Sequence, residues 1–300
     1  MNTHVQTNLV APFFGRRKGS KMTTQKTTNS AAGWSPDVIG FAPTEVIPEA
    51  LILQTSTVAG RVEGDAPAVR VIHVEDDTAG FIAEGANIDE ADPALDETLV
   101  YTGKIAQLVR VSREQYAQHE TAGLLSDSVR RAIVKAANRA YIAQAAPAGS
   151  DTTPPAGLLN VAGIHDGGTL GEDLDALADA VAHIETNDGQ ATHIIAAPDV
   201  WAALRKVKTG TGSNASLLGA GTDDITPRLL GVPVVTTPAV PAGELIVLDK
   251  TAVISAVGQL EVATSHDVYF TSDSVALRAT WRFGQNVTNA DRIVKLSLDE

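Results

Sequence analysis

The stretch SREQYAQHETAGLLSDSVRRAIVKAANRAYIAQ, residues 112–144, constrains the fold of this chain more than any other feature. Ser112 followed by Gln115 has the S-x-x-Q spacing of a capping box, which predicts that a helix begins here. One helix over the whole stretch, ended by Pro147 and Gly149, is roughly 48 Å long at 1.5 Å per residue. Such a helix, without catalytic residues along it, indicates a scaffold element. Its apolar residues recur at three- and four-residue steps and form one stripe: Leu125, Val129, Ile133, Ala136, Ala140 and Tyr141.

Composition excludes several classes of protein. The 300 residues contain no cysteine, which excludes disulfides, thiolate catalysis and cysteine-ligated zinc. Hydrophobic residues make up 44%, enough for a sizeable core, but no apolar run approaches the ~18 residues of a membrane span. The amino terminus lacks the apolar core of a signal peptide, so we expect no secretion. A net charge of −13 argues against a general nucleic-acid-binding protein, which needs cations to neutralise phosphates.

The charge is unevenly distributed along the chain. Residues 1–36 carry five cations and no acid, so the rest of the chain carries −18. This segment is rich in Thr, Asn, Ser and Gly, and we interpret it as an N-terminal arm that orders against a partner. A solvated tail is the alternative interpretation. A true start at Met22 is another, and it makes residues 1–21 an upstream extension.

Two extended segments before the helix predict a long hairpin. Residues 69–73 and residues 101–111 each alternate as an extended strand does. The tip between them is acidic, since residues 61–98 contain eleven acids against two arginines, a net charge of −9. An isolated hairpin of this length and charge is unstable in water. The chain offers no obvious cover for the hairpin, so we expect a neighbouring copy to cover it.

The remaining sequence mixes helices and strands. Residues 46–53 predict a helical turn followed by a strand, and GEDLDALADAVAHIETND predicts a second helix with one apolar face. ATHIIAAPDV predicts a buried strand that leads into a third helix, with Pro198 in its first turn. Short strands follow in RLLGVPVVTTPAVP, ELIVLDK, AVISAV and QLEVAT, and then two strands around a bend at residues 284–289. No regular βαβ repeat is present, so the α+β class is favoured.

No motif for catalysis, metal binding or phosphate binding is present. The seven histidines never occur at H-x-x-x-H or H-x-H spacing, and GTGSNASLLGAG lacks the Lys-Ser/Thr ending of a phosphate loop. His165 and Asp166 stand in GIHDGGTL, where two glycines predict a turn rather than a catalytic dyad. The acids of residues 89–97 lack the glycine and the ligand spacing of a calcium loop. We therefore predict no catalytic residue, no metal and no cofactor. The long helix has a cationic side, solvated or facing a partner: Arg130, Arg131, Lys135 and Arg139.

Four stretches occur in an informative order: AGFIAEGANI, KIAQLVRVSREQ, PPAGLLN and LLGVPVVTTPAVP. The first is similar to the A-x-W-V-x-E-G segment in the extended loop of phage capsid proteins, although Phe81 replaces the tryptophan. The second resembles the strand that enters the spine helix of the same family. The third and fourth resemble the turn and a strand of its axial domain. In this order the four stretches resemble the major capsid proteins of tailed bacteriophages. The fold of that family is the HK97-like fold, also called the Hong Kong-type capsid fold, and encapsulin shells share it.

The resemblance implies an HK97-like capsid fold in six parts. These are an N-terminal arm (1–35), the first part of a peripheral domain (36–60), an extended loop or E-loop (61–103), the peripheral domain with its spine helix (104–150), an axial domain (151–255) and return strands of the peripheral domain (256–300). The function implied is structural. Copies assemble in the host bacterial cytoplasm into pentamers and hexamers, which form the icosahedral shell of a virion around double-stranded DNA. Separate scaffold, portal and decoration proteins are further implied partners, and a membrane is not.

Two expectations concern contacts between subunits. Opposite charges on the arm and the loop predict that these segments meet between neighbours, although exposed pairs are individually weak and are screened by salt. One member of the family links its subunits by an isopeptide bond between a loop lysine and an asparagine. Residues 62–102 contain no lysine, so we predict no such crosslink to Asn286 or Asn289. The predicted interface residues are Arg16, Arg17 and Lys18 of the arm and Glu75, Asp76, Asp77, Glu84, Asp89 and Glu90 of the loop.

Other functions stay open at the level of sequence. An encapsulin-type shell around a cargo enzyme has the same fold, although the basic arm, in place of an amphipathic cargo-docking helix, favours the phage assignment. A small acidic enzyme needs titratable groups that converge only in the fold, and the sequence gives no sign of them. A decoration or tail protein fits poorly with a long helix between a hairpin and an α/β part.

Overall fold

The computed structural model describes residues 38–41, 47, 49–74, 81, 95–118, 121–171, 173–208, 216–218 and 227–298. Asp37–Glu300 form one compact unit. The predicted arm, the tip of the predicted hairpin and most of the stretch GTGSNASLLGAG lie outside the described residues. Among the described residues, no helix combines the length and the apolar character needed to cross a membrane.

The predicted long helix is two helices. Helix α2 spans Arg113–Tyr116 and helix α3 spans Thr121–Ala143. The predicted cap is confirmed, since the N–H of Gln115 donates to the side chain of Ser112 at 3.3 Å. The prediction of one continuous helix is wrong, because the chain forms a turn at residues 117–118. Residues 113–118 carry no apolar stripe that could bury a helical face, and the tip of a neighbouring strand pair holds Arg113 instead.

Helix α3 has 23 residues and is therefore roughly 34 Å long. Its buried face follows the predicted stripe at Val129, Ile133 and Tyr141. Ala136 is exposed, contrary to the prediction, and Ala137 takes the inward position. At 3.6 residues per turn, positions 136 and 137 both lie next to the apolar stripe. The sequence pattern alone therefore does not decide which of the two is buried. Of the cationic side, Arg131, Lys135 and Arg139 are exposed, and Arg130 is half-buried beside Asp127.

A five-stranded sheet covers α3. Strands β1, β11, β12 and β5 lie in that order, and β2 pairs with β11. Strand β11 is continuous, whereas AVISAV and QLEVAT predicted two strands. A bulge between Val257 and Leu260 interrupts the register, and the indole N–H of Trp281 donates to the carbonyl of Gly258 within it at 3.1 Å. The bounds are β1 Val38–Phe41, β2 Thr57–Arg61, β5 Gly103–Ser112, β11 Val253–Tyr269 and β12 Ser274–Val287.

A six-stranded sheet has the order β6-β13-β10-β7-β9-β8. It mixes parallel and antiparallel pairs, and no regular βαβ repeat runs through it. GIHDGGTL is strand β6 and not the predicted turn, because its backbone pairs with β13. The last bend was predicted at residues 284–289. Gly284 lies inside β12, so the bend begins later and falls at residues 288–292. The strands are β6 His165–Leu170, β7 His193–Ala196, β8 Arg228–Leu229, β9 Val232–Thr236, β10 Glu244–Leu248 and β13 Ile293–Leu298.

The three remaining helices confirm the sequence predictions. Helix α1, Leu51–Thr55, precedes β2 in the predicted order, although the strand begins at Thr57, beyond the predicted residues 46–53. Helix α4, Asp175–Thr186, buries Leu177 and Ile184. Helix α5, Pro198–Leu204, follows β7 and has Pro198 in its first turn. One continuous set of buried apolar side chains extends from α3 and the five-stranded sheet to the six-stranded sheet.

Strands β3, Ala68–Val74, and β4, Leu95–Tyr101, form a separate antiparallel pair. The sequence predicted residues 101–111 as the return strand of this hairpin. That prediction is wrong, since β5 pairs with β12 instead. The predicted alternation of β5 is confirmed, because its odd-numbered residues from 103 to 111 are half-buried and the even-numbered ones from 104 to 110 are exposed.

Candidate assembly surfaces

The base of the hairpin β3–β4 packs on the five-stranded sheet. Val69 and Val100 stand directly opposite each other and share a face with Val71. This face meets Ile254 and Ala256 of β11 in a small apolar cluster. The expectation that the chain offers no cover for the hairpin is therefore wrong for its base. The rest of the hairpin, residues 75–80 and 82–94, lies outside the described residues.

Polar contacts fix the point where the hairpin leaves the sheet. Thr102, between β4 and β5, donates its N–H to the carbonyl of Pro67 at 2.9 Å and its hydroxyl to that of Ala66 at 2.7 Å. The guanidinium of Arg282 on β12 donates to the Thr102 hydroxyl at 3.2 Å and lies 3.5 Å from the Asp65 carboxylate. The side-chain amide of Asn286 donates to the carbonyl of Leu99 at 3.0 Å. The direction of the hairpin is thus set by two residues of β12, Arg282 and Asn286.

The opposite face of the hairpin is open. Arg70 and Glu97 form an ion pair of 2.8 Å across the two strands. Beside this pair, Ile72 is 66% exposed and Leu99 is 40% exposed. A mixed apolar and charged face of this kind is typical of a surface that meets another protein.

The tip of the pair β11–β12 is a second exposed surface. Arg113 forms an ion pair of 2.6 Å with Asp273, which explains why α2 stays at this end of the sheet. The Arg110 guanidinium lies 4.7 Å from the centre of the Tyr269 ring. Next to these contacts, Phe270 is 80% exposed and Val268 is 63% exposed. Two large exposed apolar side chains on an ordered tip also indicate a surface for a partner.

The cleft between the hairpin base and the sheet has a volume of about 380 Å³. Its charged lining residues are three cations and three acids, so they select neither an anion nor a cation. They are Arg61, Glu63, Asp65, Lys104, Glu261 and Arg282. Among the described residues, no three His, Asp or Glu side chains converge as a metal site.

The perturbed titratable groups have structural explanations. The pKa of Asp166 is lowered because the N–H of Gly168 donates to its carboxylate and Lys295 lies 3.4 Å away. Partial burial, together with the charge of Lys250, lowers the pKa of His193. His165 does not form a dyad with Asp166. Its ring stacks on His183 of α4 at 3.7 Å between ring centres, which is a packing contact.

Comparison with known proteins identifies the family. The sequence profile of the phage capsid family matches residues 48–298. The chain belongs to the phage capsid family. Proteins of this family are structural shell proteins, and this chain is accordingly a capsid protein and not an enzyme. A comparison with curated protein sequences found no match.

Solved structures share the fold of this capsid protein at low sequence identity. A structure from Gordonia phage Cozz is 16% identical, with a TM-score of 0.65 over 84% of this chain and 87% of that chain. The capsid of a native GTA particle, computed with C5 symmetry, is 19% identical, with a TM-score of 0.62 over 94% of this chain and 99% of that chain. A structure from Microbacterium phage Oxtober96 is 17% identical, with a TM-score of 0.62 over 93% and 96%.

The nine predicted interface residues of the capsid protein all lie outside the described residues, so their contacts stay a prediction. The residues that anchor the hairpin, Thr102 and Arg282, carried no motif. Leu108 was also missed, although the sequence contains a signal for it. This leucine falls on the otherwise polar side of the alternating strand β5, and it is 57% exposed.

Proposed function

We propose that this protein is the major capsid protein of a tailed bacteriophage. Its copies form pentamers and hexamers, which close an icosahedral shell around double-stranded DNA. The observation that best supports the proposal is the family match over residues 48–298, which includes the hairpin, the long helix and every strand of the two larger sheets except β1. Symmetric assembly also explains why the hairpin face and the strand tip each expose two large apolar side chains.

Each described element has a place in the proposed capsid subunit. Helix α3 is the spine helix, and the hairpin β3–β4 with the residues between its strands is the extended loop, residues 61–103. The five-stranded sheet with α3 forms the peripheral domain. The six-stranded sheet with α4 and α5 forms the axial domain. We assign β13 to the axial domain as well, since it pairs with β10 and β6 and not with the peripheral strands.

The proposed partners follow from the shell. Double-stranded DNA is enclosed without sequence recognition, and separate scaffold, portal and decoration proteins complete the particle. Assembly takes place in the host bacterial cytoplasm, and the product is the virion. The negative charge of the chain fits a container, because a DNA polymer that must leave the shell is not held by its wall.

Electron microscopy of the purified chain tests this proposal. We expect closed shells, or rings of five and six subunits, in negative stain, and a matching mass by light scattering. Nuclease-protected DNA inside particles from infected cells distinguishes a virion from a shell around a cargo enzyme. A monomer or dimer at every concentration and salt would refute the proposal.

We further propose that the arm and the acidic loop meet between neighbouring subunits. Changing Arg16, Arg17 and Lys18 of the arm together to Glu removes three proposed ion pairs. Each such pair contributes about 0.2–1 kcal/mol. We expect this variant to give fewer shells, and wild-type shells to weaken as salt is raised. The matched control changes Arg131, Lys135 and Arg139, on the exposed side of α3, to Glu. Normal assembly of the arm variant would contradict the proposed contact.

A further inference from the structure

A cavity of about 240 Å³ lies between the carboxyl end of α3, the start of β5 and the end of β12. Space remains here because Gly103, directly opposite Phe283 on β12, has no side chain and Ala140 of α3 has only a methyl group. A Cβ at Gly103 would meet ring atoms of Pro155 and Pro154 at 3.5 and 3.7 Å. The lining is mainly apolar and consists of Gly103, Lys104, Ile105, Ala140, Gln144, Pro154, Pro155, Phe283 and Gln285.

Hydrogen bonds hold the walls of this cavity in place. The turn that follows α3, residues 154–160, is tied to the end of the helix. The N–H of Gly157 donates to the carbonyl of Gln144 at 2.8 Å, and the side-chain amide of Asn160 donates to the same carbonyl at 2.9 Å. The other wall is the hydrogen-bonded ladder of β5 and β12. The cavity is therefore formed in the folded chain, and a ligand that enters it does not have to order its walls.

Gln285 brings one unpaired polar group to the wall of the cavity. Its side-chain amide nitrogen donates to the carbonyl of Ala156 at 2.9 Å, which fixes the orientation of the amide. The side-chain carbonyl oxygen, Oε1, is buried and has no hydrogen-bond partner among the described residues. The residue as a whole is only 4% exposed. An acceptor this deeply buried is unfavourable without a donor, so it indicates that a donor from outside the chain completes the site.

We propose that this cavity binds a small neutral aromatic molecule that carries one hydrogen-bond donor. The ring lies among the apolar side chains, and its O–H or N–H group donates to Oε1 of Gln285. The terminal torsion of a glutamine is soft, so a small rotation turns this oxygen toward the ligand. An engineered apolar cavity of about 150 Å³ in another protein binds benzene, so the larger cavity here has room for a substituted ring. Lys104 at the mouth already faces the Asp65 carboxylate at 3.9 Å, and the ligand therefore needs no charge.

The position of the cavity gives the ligand a consequence for the whole subunit. Three segments meet at the cavity: the end of α3, the turn that leads toward the six-stranded sheet, and the start of β5 beside the hairpin. A molecule that binds these segments only in the folded chain stabilises that state by mass action. The site is therefore one at which a small molecule raises the stability of the subunit. This inference does not depend on the proposed shell function.

Phenol and toluene are suitable probes, because the two molecules have nearly the same size and only phenol donates a hydrogen bond. Ligand-observed NMR with the full chain measures the two dissociation constants, whether the chain is present as subunits or as shells. We expect phenol to bind ~2–10-fold more tightly than toluene, the ratio that one net hydrogen bond gives. Ala140→Leu fills the cavity and is expected to abolish the binding of both probes. The matched control is Ala136→Leu, about one turn earlier on the exposed side of α3, which binds both as wild type does.

Gln285→Met removes the acceptor at nearly constant length, and we expect this variant to bind phenol and toluene equally well. No binding of phenol to the wild-type chain, or equal binding to wild type and Ala140→Leu, would overturn the site. Equal affinity of the wild-type chain for the two probes would overturn the role of Gln285 and with it the proposed class of ligand. If a variant does not fold, the comparison of the two probes on the wild-type chain still decides the inference.

Discussion

Gly284→Ala is the substitution that most directly tests how the hairpin is anchored. Gly284 lies in β12 at the point where the chain passes from β4 into β5. A Cβ atom at this position would lie 1.9 Å from the carbonyl oxygen of Tyr101 and 3.0 Å from the Cα of Thr102. Both are backbone atoms, so no side-chain rotation relieves the overlap. The two chain segments must move apart by more than 1 Å, as an order-of-magnitude estimate from ordinary contact distances of about 3.4 Å.

The cost follows from the contacts that such a movement breaks. The amide of Asn286 would lose the carbonyl of Leu99, now at 3.0 Å, and Arg282 would lose Thr102. Two hydrogen bonds at about 1 kcal/mol each, added to an overpacking cost of about 1–3 kcal/mol, give about 3–5 kcal/mol. We therefore expect the free energy of unfolding to fall by this amount.

Urea unfolding of the unassembled chain, followed by circular dichroism, measures this change. Gly123→Ala in α3 is the matched control, because a Cβ at Gly123 meets no atom within 4 Å. Since alanine favours a helix over glycine by up to about 1 kcal/mol, the control variant is expected to be as stable as wild type or slightly more so. A decrease in the free energy of unfolding below about 1 kcal/mol for Gly284→Ala would show that the backbone at residues 101–102 moves away from β12 at little cost. The proposed anchoring of the hairpin would then be wrong.

Two further predictions concern a buried phenol and the covalent state of the shell. Burial raises the pKa of Tyr141, so above pH ~10 the unfolded chain ionises first and stability falls with rising pH by up to about 1.4 kcal/mol per unit. The free energy of unfolding, measured with urea at pH 8 and pH 11, should fall less between these two pH values for Tyr141→Phe than for wild type. Equal losses in the two proteins would show that ionisation of Tyr141 is not the cause. Since residues 62–102 contain no lysine, intact particles should run as monomers on a denaturing gel, and a ladder of multimers would disprove the absence of crosslinks.

Local sequence patterns predicted the helices and strands that are buried on one face only. The buried face of α4 and the alternation of β5 were visible because a half-buried element repeats its apolar residues with its own period. The cap at Ser112 was visible because its hydrogen bond is made within three residues. The family assignment came from four short stretches in order, and the profile match over residues 48–298 confirms it.

Long-range pairing was not predictable from these patterns. The period of two residues is the same whether residues 103–111 pair with β3 or with β12, so the sequence could not distinguish the two sheets. The break after α2 depends on Arg113, whose partner Asp273 is far along the chain. The continuity of β11 depends on a bulge that accommodates Gly258 beside Trp281. Each of these features is decided by a residue more than a hundred positions away or by backbone geometry.

The pairing of β5 also decides which surfaces remain for assembly. The N–H and hydroxyl of Thr102 are bonded to residues 66 and 67, so the hairpin ends there and β5 is free to join β12. If β5 had stayed in the hairpin, its cations and Leu108 would lie on a two-stranded ribbon with no support. In the five-stranded sheet they are backed by Trp281 and Phe283, both buried against α3. A rigid backing lowers the entropic cost of any contact that these side chains make, so the same hydrogen bonds that end the hairpin also keep the exposed residues of β5 in fixed positions.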